Sequence, residues 1–151
     1  MKAIATIRKD LDWKTLEQLR KRVEQSAQVK VGIPSSKMEK DGKTPSALVG
    51  AAHEFGLGVP ERPFLRNTIK NNLPKYVRVN RVNLTKILHG QETINGALGK
   101  LGAIAVGDVQ YFIAHNDYEL DKKTIKRKGS SQALVDEGQM RQSMTWELEE
   151  L

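Results

Sequence analysis

The residue types that most often carry catalytic or metal chemistry are few in this chain and poorly spaced. His53 and Glu54 are adjacent, but position 57 is leucine, so the second histidine of an H-E-x-x-H zinc motif is missing. His89 and His115 stand far from His53 and from each other, without the spacing of metal ligands. The 151 residues include no cysteine, which excludes disulfides, thiolate metal sites and a cysteine nucleophile. The sequence therefore predicts no metal site and no cofactor.

Hydroxyl and carboxyl groups give no better candidate for catalysis. Ser130 and Ser131 lie in a basic stretch with no histidine near them in sequence. Glu149 and Glu150 are neighbours on a predicted strand, so they point in opposite directions and cannot form an acid–base pair. The glycines at positions 96, 99 and 102 lie inside a helical pattern, whereas a phosphate-binding loop requires a strand-to-helix turn. We therefore expect a non-enzymatic protein with no catalytic residues.

Charge is distributed unevenly along the chain. The formal net charge is +7, from 25 basic and 18 acidic residues. Residues 61–89 hold 7 basic and 1 acidic residue, residues 120–133 hold 5 and 1, and residues 134–151 hold 1 and 5. Such asymmetry suits a nucleic-acid partner or complementary contacts between copies of a subunit. A solvated basic face that serves only solubility is the alternative.

The first basic block supports a hypothesis of sequence-independent DNA binding. Its cations recur along a predicted helical region and could neutralise several phosphates without reading bases. Aromatic residues for base stacking are scarce there, and no recognised nucleic-acid motif is present. The possible DNA-facing residues are Arg66, Lys70, Arg78 and Arg81. In this alternative, the protein binds DNA through the blocks at residues 61–89 and 120–133.

The hydrophobic periodicity predicts an α+β fold in a single domain spanning residues 1–151. We expect strands at residues 2–8, 29–33 and 144–149, in a small, mainly antiparallel sheet of about three to four strands. Several helices cover that sheet, at about residues 13–25, 45–55 and 92–114, with one from residue 64 to Pro74 and a further helical stretch at about residues 75–88. Long mobile loops are predicted near residues 34–44 and 116–134. Because no stretch approaches the length of an apolar membrane span, we expect no membrane partner.

The positions of proline and of the small residues predict where particular helices begin, break or pack. Thr44 and Pro45 predict a helix start, with a capping hydroxyl followed by proline in the first turn. Pro74 is expected to break or kink the helix that begins at Phe64. The helix at residues 92–114 carries a small stripe, Gly96, Gly99, Ala103 and Gly107. Glycines in a helix interior favour close approach of another helix, here one from a second subunit.

Three stretches of the chain together resemble a known family. The first is Ala51-Ala52-His53-Glu54-Phe55-Gly56, followed by Val59-Pro60-Glu61-Arg62-Pro63-Phe64-Leu65-Arg66. The second is Ala105-Val106-Gly107-Asp108-Val109-Gln110, and the third runs from Thr124 through Ser131 to Leu134-Val135-Asp136-Glu137-Gly138-Gln139-Met140-Arg141. In order and spacing they are similar to the small tail-completion, or head–tail joining, proteins of tailed bacteriophages, including neck, minor tail and virion morphogenesis proteins. Glu137 departs from the family pattern, where a threonine or serine is expected.

The resemblance implies a structural protein of the virion, made in the host cytoplasm and placed at the tail or neck. It implies an oligomeric ring around the DNA passage, with other copies, the connector, the tail terminator or the tail tube as partners and phage DNA as a non-specific one. Ring formation requires one patch to meet a different patch on the next copy. The candidate subunit or assembly contacts are Arg62, Phe64, Arg66, Gly99, Ala103, Gly107, Lys126, Arg127, Lys128, Asp136, Gly138, Gln139 and Arg141.

Overall fold

The computed structural model describes residues 13–24, 26–119, 125–126 and 138–151. The elements in these ranges are α1 (Trp13–Val23), β1 (Ala27–Gly32), α2 (Ser46–Phe55), α3 (Phe64–Leu88), α4 (Ile94–His115), α5 (Gln139–Ser143) and β2 (Thr145–Glu150). β1 and β2 pair antiparallel, with Ala27 opposite Glu150 and Gly32 opposite Thr145. The predicted α+β class is confirmed. These ranges contain two strands rather than three or four, and the predicted strand at residues 2–8 lies outside them.

Helix α4 is the element against which the sheet and α3 both pack. It begins at Ile94 because the hydroxyl of Thr93 accepts a hydrogen bond from the amide of Gly96 at 3.0 Å, which caps the first turn. A Cβ placed on Gly102 would lie 2.8 Å from Cγ of Trp146 and 2.8 Å from Cγ2 of Val29. The small residues of this face therefore make room for the sheet.

This packing corrects the interpretation of the small stripe. Gly99 was expected to receive another helix, but the indole of Trp146 lies against it, 3.1 Å from the position of an added Cβ. Glycine suits this position because a flat aromatic ring on a strand approaches α4 closely. Gly96 lies beside the capping side chains of Glu92 and Thr93, whereas Gly107 has open space around it.

The hydrophobic core lies where α3, α4 and α5 meet. Its buried members are Phe64, Val109, Ile113, Met140 and Met144. Phe64, the first residue of α3, anchors the start of this helix in the core and is 3% exposed. The chain that follows α4 also joins this core through Tyr118, whose ring meets that of Phe112 edge-on at 6.0 Å.

Helix α3 runs without interruption through Pro74, so the predicted break is wrong. A proline inside a helix costs about 3 kcal/mol, because a hydrogen bond is lost and the ring crowds the preceding turn. Here Pro74 faces solvent. The next turn is held to α4, because Lys75 Nζ and Tyr76 Oη donate to the carboxylate of Asp108 at 2.6 Å and 3.0 Å. Tertiary contacts therefore keep one helix intact.

The start of α2 also differs from the prediction. Pro45 occupies the N-cap, with no side-chain capping hydrogen bond, and the helix begins one residue later at Ser46. The Thr44 hydroxyl instead donates to Asp41 at 2.6 Å. The same carboxyl accepts from the amides of Lys43 and Thr44, each at 2.8 Å. Asp41 thus organises part of the loop predicted at residues 34–44.

Helix α1 contains no buried residue, although its sequence is amphipathic. Trp13 is 77% exposed, Leu16 43% and Val23 46%. Its hydrogen bond to the rest of the fold runs from Arg22 Nη1 to the carbonyl of Leu88 at 2.8 Å. Much of its apolar face is exposed, although the helix contacts α3.

By length and composition alone, α4 could cross a membrane. The helix carries Lys100 and Asp108, and Asp108 pairs with α3. Both strands and α3 pack against α4, so part of its surface is covered within the described chain.

Candidate functional site

The first motif of the resemblance builds a helix cap from a distant side chain. Pro63 precedes α3 and provides no side-chain cap. Glu54, near the end of α2, fills that role: its carboxylate accepts from the amide of Leu65 at 2.9 Å and from the amide of Arg66 at 3.0 Å. The first amides of a helix have no partner inside the helix and carry partial positive charge. A buried carboxylate is therefore stabilised at this point, and it fixes α2 against the start of α3.

Arg66 completes the same network. Its Nε donates to Glu54 Oε1 at 2.9 Å, and its Nη2 donates to Glu61 Oε1 at 2.7 Å. The guanidinium also lies over the ring of Phe55, 5.2 Å from the ring centre. The hydrogen bonds to Glu54 and then to Glu61 raise the pKa of Arg66 above its ordinary value. Arg66 is about half exposed, so it holds the α2–α3 corner while presenting one edge to solvent.

Arg62 lies inside the same corner and is only 8% exposed. Its backbone amide donates to the carbonyl of His53 at 2.7 Å. Its Nη2 donates to the carbonyl of Glu119 at 3.3 Å, and its Nη1 lies 3.5 Å from Nδ1 of His53. Arg62 thus joins the α2–α3 connection to the chain that leaves α4. This position is structural rather than an open cationic surface.

The third stretch of the resemblance contains Gly138, which precedes α5, and α5 leads into β2. Gly138 has φ +73°, a left-handed angle that glycine adopts without a steric penalty, and it precedes the first residue of α5. Gln139 donates from Nε2 to the carbonyl of Met38 at 2.8 Å. The carbonyl of Arg141 accepts from Gln110 Nε2 at 3.1 Å. The motif therefore ties α5 to the loop after β1 and to α4.

The remaining candidate residues divide into three groups. Phe64 is buried in the core and Gly99 is covered by Trp146, so neither offers its surface to another molecule in this conformation. Ala103 and Gly107 are exposed on α4, and Lys126 is exposed as well. Arg127, Lys128 and Asp136 lie outside the described residues. The structure thus brings Arg62, Phe64 and Arg66 together at one corner.

The exposed side of α3 is strongly basic. The 25-residue helix contains six basic residues and no acidic one. Arg66 and Lys75 are paired, but the exposed side chains of Lys70, Arg78 and Arg81 make no hydrogen bond or ion pair to a described residue. At 3.6 residues per turn these three side chains fall within about 80° of the helix circumference. They form a cationic face, which we define as Lys70, Arg78 and Arg81.

Sequence reasoning missed the role of Glu54. The sequence pattern relates Glu54 only to a metal motif that lacks its second histidine. The signal that could have found it is the uncapped start of α3, where proline stands at the N-cap and no Ser, Thr, Asp or Asn precedes the helix. In the part of the chain that the structure describes, no three His, Asp or Glu side chains converge as metal ligands.

Comparison of the chain with family models, curated proteins and solved structures gives no match.

Proposed function

We propose that this chain is a non-enzymatic structural protein of a tailed phage virion, which completes the tail or neck and joins head to tail as an oligomeric ring around the DNA passage. The sequence motifs supply the family resemblance behind this proposal. Their geometry is compatible with it, because Glu54, Arg66 and Gly138 position helices and join segments of the fold. A protein that assembles with neighbouring subunits needs such internal contacts, because they hold its binding surfaces in a fixed arrangement.

The observation that carries the proposal is the amount of apolar side chain left outside the core. On α2 and the connection after it, Leu48, Phe55 and Leu57 are each 60% exposed. On α3, Leu73 is 55% exposed and Leu84 is 50% exposed. Scattered apolar residues are normal on a surface, but apolar faces on several elements are typical of proteins that assemble. The exposed faces are what a ring subunit needs for its two neighbours.

Electron microscopy of lysates tests this function directly. In the parent phage or prophage, a stop codon in this gene should leave DNA-filled heads and unjoined or malformed tails. Complementation with the wild-type chain should restore joined virions. A chain with Leu73→Asp should restore far fewer, whereas Asn71→Asp, which adds the same charge at another exposed position of α3, should act like wild type. Normal virions from the interrupted gene would refute the proposal.

A second candidate function, sequence-independent DNA binding, is favoured by the cationic face of α3. Three exposed cations whose side chains have no partner among the described residues suit phosphate groups, and each neutralised phosphate contributes about 0.9 to the slope of log affinity against log salt. Replacing Lys70, Arg78 and Arg81 together with alanine should therefore flatten that slope by about 2.7. The matched control replaces three other exposed cations: Lys14, Lys21 and Lys37. Equal loss in both triple variants, or no binding at low salt, would remove this candidate.

A further inference from the structure

A groove between α3 and α4 is left open by the described part of the chain. Its volume is about 410 Å³, and its lining is mostly apolar. The apolar side chains that line it are Val77, Leu84 and Ile87 of α3 and Ile94, Ala97 and Leu98 of α4. Helix α1 contacts α3 and donates from Arg22 to the carbonyl of Leu88, but no residue of α1 lines the groove.

The α3 side of the groove has the pattern of a helix-binding surface. From Val77 to Ile87 the groove follows α3 for about 15 Å, or about three helical turns. Four apolar residues of α3 recur at spacings of four and seven, lie within about 60° of its circumference and are 39–55% exposed: Leu73, Val77, Leu84 and Leu88. A stripe with this spacing suits an amphipathic helix that inserts anchors from successive turns.

Charge along α3 selects the sign of the occupant. Lys70 and Arg81, two members of the cationic face, fall at the edge of the apolar stripe, and Arg81 also lines the groove. Their exposed side chains make no hydrogen bond or ion pair to a described residue. Helix α3 contains six basic residues and no acidic one. An occupant with carboxylates beside its apolar face is therefore favoured, and a basic occupant is disfavoured.

The described helices of this chain lack that charge pattern. Helix α1 has four basic residues and one acidic residue, and α5 has a single basic residue and no acidic one. The acidic residue of α2 is Glu54, which is buried as the cap of α3. Helix α4 has one residue of each sign, and its Asp108 pairs with Lys75. None of these helices presents a row of free carboxylates, so a helix of another protein fits the groove better than a second copy does.

We propose that the α3–α4 groove binds an amphipathic helix of another protein, in which acidic residues flank the apolar face. The apolar anchors of that helix pack between Leu84 and Leu98, and its carboxylates pair with Arg81 and Lys70. The side chain of Asn80 lines the groove without a hydrogen bond to a described residue, so it offers one polar contact that fixes the register. This pairing does not depend on the virion function proposed above.

Fluorescence anisotropy with two labelled peptides tests the sign of the occupant. Each peptide has about 18 residues, long enough for an isolated helix, with leucines at helical spacing. One carries glutamate on both sides of the leucines, and the other carries lysine. We expect the full chain to bind the glutamate peptide at least about tenfold more tightly, with a difference that narrows as salt is added. Equal affinities, or no binding of the glutamate peptide, would overturn the proposal.

Four variants test whether the peptide binds in the groove. Leu84→Asp should weaken binding of the glutamate peptide by about tenfold, whereas Leu57→Asp adds the same charge at an exposed leucine outside the groove and should leave it nearly unchanged. Arg81→Glu should also weaken it about tenfold and should improve binding of the lysine peptide. Its control is Lys37→Glu, at an exposed cation in the loop after β1. Equal losses within either pair would refute binding in the groove, and thermal unfolding checks that each variant folds.

Two further results would assign these surfaces to other partners. Self-association of the wild-type chain in sedimentation, abolished by Leu84→Asp, would make a second copy the occupant of the groove. Binding of a mixed-sequence DNA duplex that Arg81→Glu weakens and Leu84→Asp does not, without binding of the glutamate peptide, would assign the cationic face to DNA. All of these measurements use the free chain, so they stand apart from the virion experiment, in which loss of head–tail joining tests the function alone.

Discussion

Replacement of Glu54 should show that the first motif acts through a helix cap. The carboxylate is 6% exposed and accepts from two backbone amides and one guanidinium. Removing one partner of a fully buried charge pair costs about 3–5 kcal/mol. Arg66 is 53% exposed, so water can solvate it after the change. We therefore expect Glu54→Ala to lower the free energy of unfolding by about 2–4 kcal/mol, chiefly through the two amides left without an acceptor.

Glu54→Gln distinguishes the effect of the side chain's negative charge from the effect of its shape. The amide side chain keeps the volume and one acceptor oxygen, but it loses the negative charge at the helix start. We expect a smaller loss of about 1–2 kcal/mol in the free energy of unfolding. The matched control is Glu61→Gln, because Glu61 pairs with the same Arg66 but is 55% exposed. An exposed pair of this kind contributes at most about 1 kcal/mol.

Thermal and urea unfolding measure these differences. For a chain of this size each kcal/mol shifts the midpoint by about 2–4 °C, so Glu54→Ala should lower Tm by about 5–15 °C. The urea m-value should stay unchanged if only the folded state is affected. A loss below 1 kcal/mol in Glu54→Ala, or an equal loss in Glu61→Gln, would refute the capping argument.

Two further predictions concern local packing and pH. Gly102→Ala should lower the free energy of unfolding by about 1–3 kcal/mol, because the new Cβ would lie 2.8 Å from Trp146. Gly107 has open space around it, so Gly107→Ala should leave Tm unchanged or raise it. Equal Tm values for the two variants would contradict this packing. Hydrogen bonds from the Thr44 hydroxyl and from the amides of Thr44 and Lys43 lower the pKa of Asp41 below 3.8. The stability that Asp41 contributes is therefore present above pH 3.8, and it is lost as the pH falls through the lower pKa of the folded state. Asp41→Asn should therefore reduce loop protection in hydrogen exchange at pH 6 but not in acid, and a constant difference across pH would refute it.

The elements with strong periodicity could be predicted from sequence to within two residues. α4 was expected at residues 92–114 and spans Ile94–His115, and β2 was expected at residues 144–149 and spans Thr145–Glu150. The hydrophobic pattern of each element lies within one continuous segment, so local signals such as the Thr93 cap are enough to predict where the element begins. The special angle at Gly138 is also a local property, so it too was predictable.

The features that could not be predicted depend on segments that are distant in sequence. Whether Pro74 ends a helix depends on Lys75 and Tyr76 reaching Asp108, 32 or more positions away. The cap on α3 comes from Glu54, which is 11 residues before the amide of Leu65. In both cases a local rule was overridden by a contact that exists only once the chain has folded.

The small stripe of α4 and the apolar face of α1 show that a sequence pattern can predict a contact surface without identifying the group that covers it. Glycine at position 99 indicates close approach, but nothing local distinguishes a second helix from the ring of Trp146. Likewise, the pattern of α1 indicates an apolar face without naming the molecule that covers it. In α4 the answer lies within the chain, because the sheet supplies the partner. In α1 the described chain leaves Trp13 77% exposed, although the helix contacts α3.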